Sequence, residues 1–273
     1  MRRHALVLTL PLLLACARVP TLAVPQPDTS IPAALLGNDN VRWGYPGRRG
    51  SVLIKQHFVI PYDSRYEVPT WVTYHLTRDE LQGTESRTNN FRPDSKLPPD
   101  QRSELVDYRN SGYDRGHMAP AADFKRDSAA MSETFLLSNM APQRPRMNRE
   151  IWAHLEDQVR ALVQARCGIW IFTGALYLDS LQNPTVPTDY IGPDSIAVPT
   201  HFYKVILCEH PDGSHEMFAF VLPNSLAPQG EPRDYVVSVD RVQHLSGLDF
   251  FAVMPDSEEH SLEAVVRTSW PIP

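Results

Sequence analysis

Residues 112–160 read GYDRGHMAPAADFKRDSAAMSETFLLSNMAPQRPRMNREIWAHLEDQVR. The second half carries the clearest periodicity in the chain: Ile151, Trp152, Leu155, Val159, Leu162 and Val163 recur at steps of three and four. That spacing predicts an amphipathic helix over 148–166, with one apolar stripe for a core and Gly168 as its stop. A continuous apolar run at 169–173 then predicts a buried strand. Glu156 and Arg160 share a face of the helix, about 80° and 120° round from Asn148 at about 100° per residue. They therefore sit beside the stripe, at the edge of the core, where a site can form. Upstream, His117 follows Asp114, Arg115 and Gly116, and Asn139 lies in the turn-like LSNMAPQ.

Working outward, residues 52–60 and 70–76 are rich in β-branched and aromatic residues and read as two strands, with a loop over 61–69. Residues 77–81 read as a capped helical turn ended by Gly83. The polar, proline-containing 85–107 reads as an ordered loop, and 131–137 fits either a short helix or a strand. A loop follows at 184–193. Residues 196–208 and 216–222 read as strands joined by a turn at 210–214, and 234–245 as a second amphipathic helix ending at Gly247. Nothing repeats. Strands and helices are mixed without a βαβ rhythm, so the expected fold class is α+β, a mainly antiparallel central sheet flanked by helices.

With 42% hydrophobic and 21% charged residues, the 273-residue chain has the make-up of an ordinary globular protein. Its 25 prolines are scattered, which points to many ordered loops rather than one unstructured tail. Arg2 and Arg3 precede an apolar run over 5–15, shorter than the roughly 20 residues a membrane span needs. Residues 1–16 therefore read as an export signal. Two cleavage readings stand. Ala15-Cys16-Ala17 fits ordinary secretion, whereas Leu13-Leu14-Ala15-Cys16 fits a bacterial lipoprotein box with a lipid on Cys16. The second is preferred, since a lone cysteine at the end of an apolar run has little other reason to be there. Either way the expected location is outside the cytoplasm: periplasm, outer membrane by the lipid anchor, or extracellular space. The proline-rich 17–38 reads as a flexible lead and 39–273 as a single domain. In an oxidising compartment Cys167 and Cys208 could pair; two small buried apolar residues are the other reading.

The formal net charge of −6 is unfavourable for binding a polyanion, but the distribution is uneven. Residues 86–149 hold eleven Lys/Arg against eight Asp/Glu, and 208–273 hold three Arg against eleven Asp/Glu. The positive surplus coincides with the candidate site.

The residue types at that site suit phosphodiester hydrolysis, which needs a base for water, positive charge on the phosphoryl group and help for the leaving oxygen. An unperturbed imidazole, pKa about 6.5, suits His117 to the first task and would place a rising limb of activity at about pH 6 to 8. Arg115 can face a phosphate with two donors. Gly116 permits a close backbone approach, and Asp114 can pair with an arginine or hold a water at a metal. Asn148 offers an amide oxygen, which suits Mg²⁺, an ion that takes few protein ligands; its other reading is a helix cap. Glu156 and Arg160 could be an ordinary surface pair, and Asn139 a turn residue. Arg87, Arg115, Arg144, Arg146, Arg149 and Arg160 could contact phosphates without reading bases.

YDRGHMAP, LSNMAPQ and MNREIWAHLE resemble the DNA/RNA non-specific endonucleases of the ββα-metal fold, a family that includes secreted bacterial nucleases and mitochondrial endonuclease G. The likeness continues through PTWVTYHLT, NNFRPD, TGALYL, VPTHFYKVIL, FVLPN and SGLDFF. DRGH alone is a weak signal. DRGH, then SNxxPQ, then Asn148 nine residues after Asn139, then Glu156 eight further on, is a specific one. The resemblance implies a ββα-metal site motif and an endonuclease acting on DNA and RNA with Mg²⁺, or Mn²⁺ in its place. It implies His117 as general base and Asn148 as the one direct protein ligand of the ion. Glu156 would orient water at the ion with Asp114 close by, and Asn139 would support substrate or water positioning. Arg115 and Arg160 match phosphate-binding arginines, and Arg149 is a further candidate contact. An upstream arginine is also implied, for which Arg87 fits and Arg92 stays open. The family contains dimers, so a homodimer is compatible. Two other readings are a phosphodiesterase for smaller nucleotides and a nucleic-acid-binding protein without turnover. The intact His117, Asn148 and Glu156 argue against the latter.

Overall fold

The computed structural model describes residues 29–47 and 50–270. In chain order its strands are β1 (Ser51–Ile54), β2 (Val59–Asp63), β3 (Val68–Pro69), β4 (Trp71–Leu76), β5 (Asp114–His117), β6 (Met140–Gln143), β7 (Gly168–Leu176), β8 (Tyr190–Ile191), β9 (Ile196–Ala197), β10 (His201–Glu209), β11 (His215–Pro223) and β12 (Val236–Val237). Its α-helices are α1 (Leu105–Tyr108), α2 (Ser128–Glu133), α3 (Ala153–Ala165), α4 (Val239–Ser246) and α5 (Asp256–Glu263). Eight strands form one sheet in the order β1-β2-β4-β7-β10-β11-β12, with β3 beside β2. Every pairing in it is antiparallel. This is the expected α+β class.

The central strands read as unbroken apolar runs because both faces of the sheet are covered. Side chains alternate along a strand. Ile169, Ile171, Phe202 and Ile206 therefore face one way, into a core shared with Leu155, Val159, Leu162 and Val163 of α3. Trp170, Phe172, Tyr203, Val205 and Leu207 face the other way, against Val239, Val242 and Leu245 of α4. Leu155, Val159 and Leu162 are buried, and each such side chain contributes about 1.5–3 kcal/mol. The stripe read from the sequence is thus what docks α3 on the sheet. Beside it, β5 and β6 form a separate antiparallel pair, with Asp114 opposite Gln143 and His117 opposite Met140. A wide π turn, Met147–Trp152, leads from β6 into α3. Cys167 follows α3 and Cys208 lies near the end of β10; the two are joined in a disulfide with Cα atoms 5.7 Å apart.

Several boundaries differ from expectation, each for a local reason. Residues 52–60 are not one strand but a hairpin, β1 and β2. Pro61 sits inside β2, where its carbonyl accepts from Thr70 N–H at 2.7 Å. Residues 131–137 divide: the first three end α2, which Asp127 caps by accepting from Ala129 and Ala130 N–H, and Leu136 makes a single β-bridge with Arg92. The run 196–208 divides into β9 and β10 around Pro199, which has no N–H to give a ladder. Gly168 begins β7 rather than ending the helix, which stops at Ala165. The helix expected over 234–245 starts only after Ser238, whose Oγ accepts from Arg241 N–H at 3.1 Å. The residues before it form a 3-10 turn (Pro232–Tyr235) and β12; Gly247, at φ 70°, ends it as expected. Residues 29–38, taken as flexible lead, include a 3-10 turn, Ala33–Leu35, that buries Leu35. The export signal over 1–16, Cys16 and the rest of the lead lie outside the described residues.

Candidate active site

The β5–β6 pair and the start of the long helix place the candidate residues around one cleft of about 360 Å³. Arg87, Phe91, Asp114, Arg115, His117, Asn148, Arg149 and Glu156 line it, with the small Pro120, Ala121, Ala122 and Ala153. Asp114, Arg115, His117, Asn148 and Glu156 are therefore brought together from positions as far apart as 114 and 156, whereas Asn139 and Arg160 are not among the lining residues.

His117 ends β5. It is 9% exposed, with Phe91 and Phe135 edge-on to its ring at 5.6 and 5.0 Å. Its Nε2 has no hydrogen-bond partner among the described residues. Burial, with Arg87 and Arg115 adding to it, lowers its pKa from 6.5 to about 3. The imidazole is therefore neutral, and able to accept a proton, throughout the neutral range. In the free protein the imidazole thus lies below its ordinary value, a shift the local motif does not show because the aromatic wall comes from elsewhere.

Asn148 lies inside the π turn rather than at a helix cap. Its Nδ2 donates to Asp114 Oδ2 at 2.9 Å. Asp114 also accepts two bonds from Arg149, at 2.8 and 2.6 Å. The amide is thus turned by its nitrogen, which leaves Asn148 Oδ1 available as a ligand atom. With Asp114 and Glu156 nearby, the donors are all oxygen. This set fits a hard divalent ion such as Mg²⁺.

Arg115 stacks on Phe91, 4.1 Å from the ring centroid. Arg87 lies 4.8 Å from the ring centroid of Phe135 and donates to Asn89 Oδ1. Both guanidinium groups are thereby held at the cleft wall. Arg92, the open alternative to Arg87, instead donates to the carbonyls of Asn90 and Ser132 and is not among the lining residues. Arg144 stacks on Tyr113 at 4.0 Å, and Arg146 pairs with Glu150 along the helix.

Two expected site residues lie behind the cleft. Asn139 is fully buried. Its Oδ1 accepts from Ala119 N–H, and its Nδ2 donates to the carbonyls of Ala119 and Thr134. Its amide is used up by backbone, so it fixes the loop after His117, and it is not among the residues that line the cleft. Arg160 pairs with Asp123 at 2.8 Å and with Asp157 and does not line the cleft. Asp123 also accepts from Tyr74 OH at 2.6 Å, which ties α3 to β4.

The sequence reading missed four residues here. Phe91 holds Arg115 and flanks His117. Asp123 receives Arg160. Gln143 is fully buried with neither amide atom bonded. A Cβ on Gly116 would come within 2.2 Å of its side chain, so the close approach Gly116 permits is that of Gln143. Lys204 is buried under α3, donates to Thr173 Oγ1 at 2.8 Å and faces Trp152. A lysine inside the apolar run HFYKVILC was its one signal. Burial pushes the Glu156 carboxyl up to about 7, with Lys204 opposing and Asp123 reinforcing the rise.

The DNA/RNA non-specific endonuclease family matches the chain over residues 36–257. A nuclease of Syncephalastrum racemosum is 37% identical over 233 residues, covering 80% of this chain and 73% of that protein. Mitochondrial endonuclease G of Homo sapiens is 34% identical over 214 residues, covering 77% and 72%. A chain in the crystal structure of the EndoG/EndoGI complex has a TM-score of 0.75 at 34% identity and covers 84% of this chain and 96% of that one. Fold, cleft and these likenesses agree, and the chain belongs to the DNA/RNA non-specific endonucleases, as a metal-dependent endonuclease.

Proposed function

We propose that this nuclease is exported and cleaves both DNA and RNA with little sequence preference, with His117 as general base and Mg²⁺ held by Asn148. The observation that carries the reading is the buried, neutral His117, its Nε2 without a hydrogen-bond partner among the described residues, in the same cleft as Arg87, Arg115, Asn148 and Glu156. The bound ion supplies positive charge against the phosphoryl and leaving oxygens. His117 accepts the proton of the attacking water. Arg115 and Arg87 face the phosphate, their planes set by Phe91 and Phe135. Glu156 accepts a hydrogen bond from water in the cleft and so orients it. Asp114 holds Asn148 and Arg149 in place, and Arg149 has donors left over for a further phosphate. Arg160 and Asn139 act by positioning, through Asp123 and Ala119 respectively. Contacts of this kind carry no base information, which supports the lack of sequence preference.

Export rests on the leader at 1–16, with secretion or a lipid on Cys16 as its two forms, and is supported by the Cys167–Cys208 bond, since disulfides persist in oxidising compartments. Residues 39–273 are assigned to the one nuclease domain. The test is incubation of the purified protein with plasmid DNA and with RNA, in Mg²⁺ and in chelator, beside His117→Ala. Loss of both substrates in Mg²⁺ alone, with the variant folded and inert, is expected. Full cleavage in chelator or by the variant would overturn the assignment.

A further inference from the structure

Away from the cleft, three carboxylates from separate parts of the chain converge. Glu67 precedes β3, Asp107 lies in α1 and Asp194 in the turn between β8 and β9. Their oxygens lie within 4.8 Å of one another. Glu67 and Asp107 are 6% and 1% exposed, whereas Asp194 opens to solvent. Asp107 is held by two backbone donors: Asp194 N–H reaches its Oδ1 at 3.0 Å and Glu104 N–H its Oδ2 at 2.8 Å. Glu67 is different, because its Oε2 is buried and has no hydrogen-bond partner.

Among the described residues no Lys, Arg or His is ion-paired with any of the three. Arg65 and Arg102 are taken by Asp63 and Glu104, and Arg109, two residues after Asp107, is exposed at the surface. Burial, then Asp194 and Asp107, push the Glu67 carboxyl up to about 7, so at alkaline pH the cluster carries charges that repel. A buried carboxylate with a bare oxygen is unfavourable unless a proton or a cation meets it.

We propose that Glu67, Asp107 and Asp194 form a structural site for a hard divalent cation of the calcium class. Calcium–oxygen distances of about 2.3–2.6 Å let two ligand oxygens stand up to about 5 Å apart, and calcium accepts several carboxylates in irregular geometry. Magnesium, smaller and reluctant to lose water, suits such a cage less well. Water on the exposed side of Asp194 completes the shell. The ion ties the turn before β3, α1 and the β8–β9 turn together, a junction otherwise held by bonds such as Ala197 N–H to the Tyr66 carbonyl, at 3.0 Å. None of the three carboxylates lines the cleft, so the role is in stability and not in turnover.

The test is thermal unfolding of the full chain at mildly alkaline pH, with Mg²⁺ constant and saturating, titrated with calcium chloride. The unfolding midpoint should rise with calcium in the wild type and in Asn148→Ala, which alters only the cleft. The rise should be lost in Asp194→Asn, an exposed change that leaves the core intact, and in Glu67→Gln. Without calcium, both variants should unfold no lower than the wild type, because a repulsive charge is gone. An unchanged wild-type midpoint would mean that a shared proton alone settles the cluster and would overturn the proposal. Equal rises in the carboxylate variants, or loss of the rise in Asn148→Ala, would overturn it too.

Discussion

Burial changes what His117 can report. Its folded pKa of about 3 lies below the unfolded value of about 6.5, so between those two values the unfolded chain binds more protons than the folded one. Stability from this residue is therefore complete above pH about 6.5 and is lost as pH falls toward 3. His117→Gln should remove that part of the acid sensitivity. Unfolding free energies of the two proteins, compared at neutral and at mildly acidic pH, should converge or cross in favour of the variant on acidification. In wild-type protein the His117 ring resonances should keep their neutral positions at mildly acidic pH. A limb of activity near pH 7 is then expected from Glu156, whose carboxyl burial pushes up to about 7. A His117 resonance that titrates near 6.5 in the free protein would sink this assignment. Asn148→Ala should abolish cleavage and leave the melting midpoint within a degree or two, because Asn148 caps nothing; a destabilised but active variant would restore the cap reading. At this scale the motif made the residue types legible but not their surroundings. The walls that depress His117, Phe91 and Phe135, come from positions 26 and 18 residues away, and the exhaustion of Asn139 by backbone leaves no mark on the local sequence.

Among the elements, α3 was legible because a stripe at helical spacing has one use. The sheet's split ends were not, since short apolar runs give no sign of where a hairpin folds, as at 52–60. The disulfide fastens the end of α3 to β10 across 41 residues, which in the chain-entropy account stabilises by about 4 kcal/mol. Replacing Cys167 and Cys208 by serine should lower the unfolding free energy by about 2–4 kcal/mol. Cleavage should persist at low temperature, since neither sulfur touches the cleft; urea unfolding and a plasmid assay on the same preparation check both halves. The pairing was left open by the sequence because spacing does not show that β7 and β10 are neighbours. A methyl group at Gly116 should cost about 1–3 kcal/mol by displacing Gln143, and activity should fall with it, since Asp114 pairs with Gln143 across the same two strands.

For the whole molecule, the charge asymmetry acquires a direction. The segment with surplus arginine surrounds the cleft on the α3 side of the sheet, and the acid-rich α5 packs on the other face. A polyanion should therefore approach one side, and affinity should depend on counterion release. Binding of unrelated duplexes by His117→Ala, measured across salt concentration, should weaken steeply and alike. A single preferred sequence with a shallow salt slope would contradict the cleft as described. Strand order was beyond the sequence, because register is set by contacts between segments as distant as 71–76 and 168–176.

The π turn Met147–Trp152 contains more chain than an α turn of the same height. If one residue is deleted there, the helix can close at 3.6 residues per turn, and the widened turn that presents Asn148 is lost while the chain on either side keeps its orientation. Asn148 would leave Asp114 while Glu156 and the apolar stripe stayed where they are. A one-codon, in-frame deletion should thus yield a chain that keeps its core, winds a more regular helix, resists heat at least as well as the parent and has lost its seat for the metal.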